Sequence, residues 1–171
     1  SKPSARVNTR LTLPSRMATR SPKQKAAIAA AVDRPMPGNA INAAALGRAP
    51  FPIQQLTLGR GPRKVLLWSQ MHGDEPSATP ALLDLVDFLL AREDPAASLI
   101  LDRLTLVVIP MLNPDGTERY QRRNAQAIDI NRDALSLATP EGRSLKAVRD
   151  RFEPELAFNL HDQNRRTTVG D

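Results

Sequence analysis

KVLLWSQMHGDEP, residues 64–76, decides how the chain folds. Lys64 to Ser69 is an apolar-rich run of strand length, and Pro76 marks the start of a helix a few residues later. A strand passing straight into a helix through a tight turn is a unit of a layered α/β domain. Upstream, Ile53 to Leu58 and the turn Gly59-Arg60-Gly61-Pro62 read with it as two paired strands. Downstream, Leu82, Leu85, Val86 and Leu89 recur at helical spacing, with Asp84 and Asp87 on the other side, until Arg92-Glu93-Asp94-Pro95 ends the pattern.

Leu104 to Ile109 is a continuous leucine and β-branched run, the pattern of a strand covered on both faces, and it predicts a central strand. Thr139-Pro140-Glu141 opens a further helix carried by Leu145, Val148 and Phe152 and stopped by Pro154. Leu156 to Leu160 then forms a short strand into His161. The expected fold is α/β, a mixed and mostly parallel sheet flanked by helices.

The bulk composition narrows the chemistry. The chain has 171 residues, 41% of them apolar, enough for one domain with a real core. It has no cysteine, so disulfides and thiolate metal sites are excluded and metal ligands have to be histidine or carboxylate. The longest apolar run, Ala81 to Leu90, is interrupted by Asp84 and Asp87 and falls short of the ~20 residues of a membrane span. The first residues lack the apolar core of a secretory signal. The chain opens at Ser1 rather than Met, which leaves both a cytoplasmic protein and an exported one with its leader removed open.

The net charge of +6 invites a nucleic-acid reading, but residues 1–34 carry eight basic side chains against Asp33 alone, a net of +7, and the rest of the chain stands at −1. The basicity belongs to an amino-terminal arm, which we expect to be largely solvated. Within it, Ser21-Pro22 and the alanine-rich stretch to Val32 predict a peripheral helix, and residues 35–52 read as a Pro- and Gly-containing linker. Residues 1–46 are therefore expected to be arm, helix and linker, and 47–171 the folded domain. A nucleic-acid function rests on the arm only and is the weakest reading.

The chain has two histidines, and both fall at carboxyl ends of expected strands, the edge where α/β sheets bind ligands. His72 and Glu75 share the strand-to-helix turn, and His161 follows the last strand. Two imidazoles and one carboxylate can hold a tetrahedral zinc ion and leave one position open. An isolated H-x-x-E arises by chance and a lone histidine is usually structural. The convergence of three groups on one edge makes the metal reading.

Around these residues, Trp68-Ser69-Gln70-Met71-His72-Gly73-Asp74-Glu75-Pro76, Asn113-Pro114-Asp115-Gly116, Asp129-Ile130-Asn131-Arg132 and Asn159-Leu160-His161-Asp162 resemble motifs of the zinc metallocarboxypeptidase family, the carboxypeptidase A-like peptidases. The resemblance runs from about Gly47 to Gly170. It implies that His72, Glu75 and His161 bind Zn2+ and that Asp129 accepts a hydrogen bond from His72. It also implies that Asn131 and Arg132 grip the free terminal carboxylate of a peptide substrate, as a guanidinium fork and an amide are suited to do. An arginine upstream of that motif would stabilise the oxyanion; Arg122 and Arg123 compete for the role, and Arg123 is favoured by its place before Asn124-Ala125. Asn113 to Gly116 is expected to be a scaffold turn.

In full-length relatives the resemblance would place further strands, a specificity pocket, a covering tyrosine and a glutamate general base after the third ligand. The chain is therefore expected to be part of a larger enzyme and to expose an apolar sheet edge. Oligomeric state and residue preference are left open. The alternative functions are an aspartoacylase- or desuccinylase-like amidohydrolase and a non-catalytic zinc-binding module.

Overall fold

A computed structural model describes residues 53–162. The arm, its helix, the whole linker and the tail after Asp162 lie outside these residues. The described chain runs β1 (Leu56–Gly59), β2 (Arg63–Ser69), α1 (Ala78–Ala91), α2 (Pro95–Arg103), β3 (Leu104–Ile109), α3 (Pro114–Glu118), a 3-10 turn (Ile130–Arg132), α4 (Pro140–Phe152) and β4 (Leu156–Leu160). The strands form one sheet in the order β1-β3-β2-β4. β3 is antiparallel to β1 and parallel to β2, and β2 is parallel to β4. The sheet is mixed, mostly parallel and flanked by helices, as expected.

β1 and β2 do not pair with each other, contrary to the expected hairpin. Both pair with β3, which lies between them. The link from Gly59 to Arg63 can reach about 13 Å, and crossing one intervening strand takes roughly 9.5 Å. It is held by Arg60 N–H donating to Leu101 O and Gly61 N–H to Leu104 O, so it wraps the start of β3 instead of turning back. Burial favours this order: Leu106 to Ile109 is buried at every position, and only an inner strand has both faces covered.

α2 is a helix that the apolar periodicity did not reveal. Asp94 caps it by accepting from Ala96 N–H, with Pro95 at its first turn. α3 is where the expected Asn-Pro-Asp-Gly turn lies. Its turn chemistry becomes a helix cap, with Asn113 Oδ1 accepting from Gly116 N–H at 2.9 Å.

One face of the sheet, with Leu66, Val107 and Ile109, packs against Ile130 and α4 through Val148, Leu145 and Phe152. The other face is covered by α1 on β2 and by α2 on β1 and β3, burying Leu82, Val86, Leu89, Ala97 and Leu101. The two helical layers leave the carboxyl ends of β2 and β4 side by side, with Ser69 in register with Leu160. Among the described residues β4 is an edge strand, and its Leu156 and Phe158 are 57% and 47% exposed. Among the described residues no helix is long and apolar enough to cross a membrane.

Candidate metal centre

β2 ends at Ser69, and Gln70 turns the backbone with a left-handed φ of 47°. That conformation disfavours a side chain with a Cβ, and hydrogen bonds around the Gln70 amide offset it. Its Nε2 donates to Thr117 Oγ1 at 3.1 Å and Gly73 O at 3.4 Å, and its Oε1 accepts from Thr79 Oγ1 at 2.6 Å. The turn is also tied to the segment after β3, through Leu112 N–H to Ser69 O and Asn113 N–H to Gln70 O. Gly73 lies directly on the Gly116–Thr117 backbone, where any Cβ would collide with it. The Asn-Pro-Asp-Gly segment is thus the bed on which the turn rests.

The turn delivers His72 and Glu75, and β4 delivers His161. His72 Nδ1 lies 2.8 Å from Glu75 Oε1, and His161 Nδ1 lies 2.6 Å from Glu75 Oε2. The two rings have centroids 4.9 Å apart, and the three prospective ligand atoms lie within 4.8 Å of one another. A tetrahedral ion about 2.1 Å from each ligand would space them roughly 3.4 Å apart, so a small adjustment accommodates one. His72 is 2% exposed, whereas the His161 side chain is 29% exposed.

Asp129 sets the state of His72. Its Oδ1 lies 3.0 Å from His72 Nε2, so a neutral imidazole carries its proton there and turns the Nδ1 lone pair to Glu75. Burial pushes the Asp129 carboxyl up, but hydrogen bonds from His72, Arg122 and the Asn131 backbone outweigh it and hold it below the usual carboxylate range. A carboxylate and an imidazole lone pair facing each other repel unless a cation lies beside them, and Arg122 supplies one here. These donors fit a divalent metal of borderline softness.

Of the two competing arginines, the structure brings Arg122 to the centre and turns Arg123 away. Arg122 Nε donates to Asp129 Oδ2 at 3.1 Å, and its Nη1 lies 3.2 Å from His72 Nδ1 and 3.5 Å from Glu75 Oε1. Arg123 Nη1 donates to Ala127 O at 2.8 Å and is exposed. Asn131 and Arg132 follow Asp129 on the 3-10 turn, which Asp129 itself caps by accepting from Asn131 N–H. Arg132 is exposed, and its Nη1 donates to Asn131 O at 3.2 Å.

Four further polar residues support the centre without a local sequence signal. Asp162 Oδ2 accepts from Ser77 N–H at 3.1 Å and Ser77 Oγ at 2.8 Å, linking the residue after His161 to the start of α1. Asp133 accepts from Ser136 Oγ, Thr139 Oγ1 and two backbone N–H groups. Burial would raise its pKa, but these bonds hold it at about 2. Asn124 and Glu141, both buried, meet at 2.9 Å. A glutamate in the first turn of a helix reads as an ordinary partner of the helix dipole, so nothing in the sequence marked Glu141.

Comparison with known proteins gives consistent matches. The family model described as zinc carboxypeptidase matches residues 31–164. A probable carboxypeptidase 2 of Trichophyton verrucosum is 36% identical over 110 residues, 63% of this chain and 21% of its own length. A metallo-carboxypeptidase of Burkholderia cenocepacia superposes with a TM-score of 0.67 at 25% identity, over 84% of this chain and 41% of that one. One from Pseudomonas aeruginosa, solved with (2-guanidinoethylmercapto)succinic acid, gives 0.63 at 26% identity over 72% and 34%. The chain spans about a fifth of the length of the first curated relatives it matches.

Proposed function

The chain belongs to the zinc carboxypeptidase family, and from that premise we propose that it carries the metal-binding part of a zinc metallocarboxypeptidase that removes carboxy-terminal residues from peptides. The observation behind this reading is the convergence of His72 Nδ1, both Glu75 oxygens and His161 Nδ1 around one point, with His72 oriented by Asp129. These three residues would hold the zinc. When bound, zinc supplies a Lewis acid and lowers the pKa of a water toward ~7.

The chain's own groups divide the remaining work. Asp129 keeps the His72 proton on Nε2, so that Nδ1 stays a ligand. Arg122, beside His72 and Glu75, is the cation we assign to the negative charge that develops on the scissile carbonyl oxygen. A pre-positioned donor of this kind contributes roughly 3–4 kcal/mol. Asn131 and Arg132 are assigned to the substrate's free carboxylate, for which an exposed guanidinium on a rigid turn is chemically apt.

Two measurements test the reading. The 171-residue chain is expected to bind zinc near one equivalent by elemental analysis and titration. The full protein that carries it is expected to cleave peptides with a free carboxyl terminus and to leave their amidated counterparts intact. Equal rates on both would remove the terminal-carboxylate role, and activity confined to N-acyl amino acids would favour an amidohydrolase.

A further inference from the structure

Glu141 is a titratable group that the proposed reaction does not use, and it is only 1% exposed. Its hydrogen-bond partners are Asn124 Nδ2, at 2.9 Å, and its own backbone N–H. The charged groups facing it, Asp115 and Asp133, are both acidic. Burial first and these neighbours second push its carboxyl up. The amino terminus of α4 offsets part of this, since Glu141 sits in the first helical turn. A buried carboxylate with acidic neighbours is unfavourable on its own account, so its contact with Asn124 calls for a reason.

Asn124 closes the loop between the two site residues Arg122 and Asp129. Its Oδ1 accepts from Gln126 N–H and Ile128 N–H, each at 3.0 Å. Its own N–H donates to Ile128 O and its O accepts from Ala127 N–H. Reversing the side-chain amide would aim an NH2 group at two N–H donors and leave all three unsatisfied. Two acceptors lie on the opposite side, Gln126 Oε1 at 3.4 Å and the buried Glu141 Oε2 at 2.9 Å, and the shorter, charge-assisted bond to Glu141 is the one that holds the productive orientation. Arg122 lies two residues before Asn124, and Asp129 follows Ile128 directly. The two loop ends meet through Arg122 Nε and Nη2 on Asp129 Oδ2, at 3.1 and 3.0 Å.

We propose that Glu141 is a positioning residue for the metal centre: it fixes the Asn124 amide, and through the closed 124–128 loop sets Asp129 and Arg122 against His72. The inference rests on the reading of His72 as a metal ligand. It predicts that the acceptor oxygen at position 141 matters and its charge does not.

Glu141→Gln keeps an acceptor of the same reach, whereas Glu141→Leu fills the space without one; Glu141→Met serves if the leucine variant does not fold. Two readouts apply to the 171-residue chain, with thermal melting as the control for a merely structural effect. One is zinc affinity by titration against a competing chelator. The other is the imidazole N–H proton resonance of His72 bonded to Asp129 in metal-free protein, identified by its loss in Asp129→Ala. Glu141→Gln should stay within about twofold of the unaltered chain in affinity and keep the resonance. Glu141→Leu should weaken zinc by about tenfold or more, the range expected for a partner that orients a ligand, and lose the resonance with little change in melting. A leucine or methionine variant that keeps both overturns the inference. A chain that binds no zinc, yet loses the resonance in Glu141→Leu, sinks the metal reading and leaves the positioning role standing.

Discussion

His72 and His161 meet the same carboxylate through different oxygens, but one is sunk in the protein and the other follows a strand at the edge of the described sheet. The turn carrying His72 is fastened by the Gln70 amide, by the bed of residues 113–117 and by Asp129 with its arginine. His161 follows β4, which pairs on one side with β2 and exposes Leu156 and Phe158. Beyond that pairing and Glu75, this half is tethered by Asp162 on Ser77 and by Asn159 Nδ2, which donates to Met71 Sδ at 3.6 Å. One half of the centre is therefore pre-organised by burial, and the other is steered into place by a short strand and a surface contact.

The largest expected effect separates the two halves directly. His72→Ala and His161→Ala should each weaken zinc by more than the ~10–100-fold that an orienting partner is worth. They should differ in metal-free stability. His72→Ala leaves Asp129 and Glu75 short of a buried partner, a loss of roughly 1–3 kcal/mol, whereas His161→Ala should barely change the melting temperature. Equal melting losses in the two variants would break the contrast.

A smaller effect concerns the supports of the buried half. Asp133, at about 2 against an ordinary 3.8, contributes stability on the order of 2 kcal/mol. Because its pKa is lower in the folded chain, that contribution is present above about pH 4 and is lost as the pH falls through 2. Acid unfolding of the unaltered chain should steepen in that window, and Asp133→Asn should flatten it. Glu141 works with the opposite sign: its raised pKa favours the folded chain at low pH, and the benefit fades as the pH rises through its folded value. A pH titration of melting unaffected by Asp133→Asn would show that the cap network is not a stability element.

The smallest effect tests the tether. Asp162→Ala should cost about 1 kcal/mol, the usual worth of an N-cap acceptor, and weaken zinc by about fivefold. Asp162→Asn, which keeps an acceptor, should lose less. If strand pairing alone positions His161, zinc titration of both variants will match the unaltered chain.

How much of this was legible follows the distance over which each feature is decided. The central strand, α1, α4, β4 and the two histidines at strand ends were readable because each is written in a few consecutive residues. The strand order was misread because a short Gly-Pro link looks the same whether it turns back or crosses over a strand. α2 is announced by its cap, Asp94-Pro95, and not by apolar spacing, so periodicity does not show it. Of two adjacent arginines, only the closure of the loop around Asn124 shows which one reaches Asp129.

Sequence by itself determined the residue chemistry available: no thiolates, two imidazoles, a carboxylate three residues from the first, and a chain pattern that alternates strands with helices. Tertiary structure alone decided that β3 divides β1 from β2, that Arg122 and not Arg123 joins the centre, and that Glu141 reaches Asn124. Helix and strand formation depends on neighbours within a turn or two, which a sequence displays. Strand order, ring orientation and the facing of a buried amide depend on groups brought together from distant parts of the chain, and only packing brings them together.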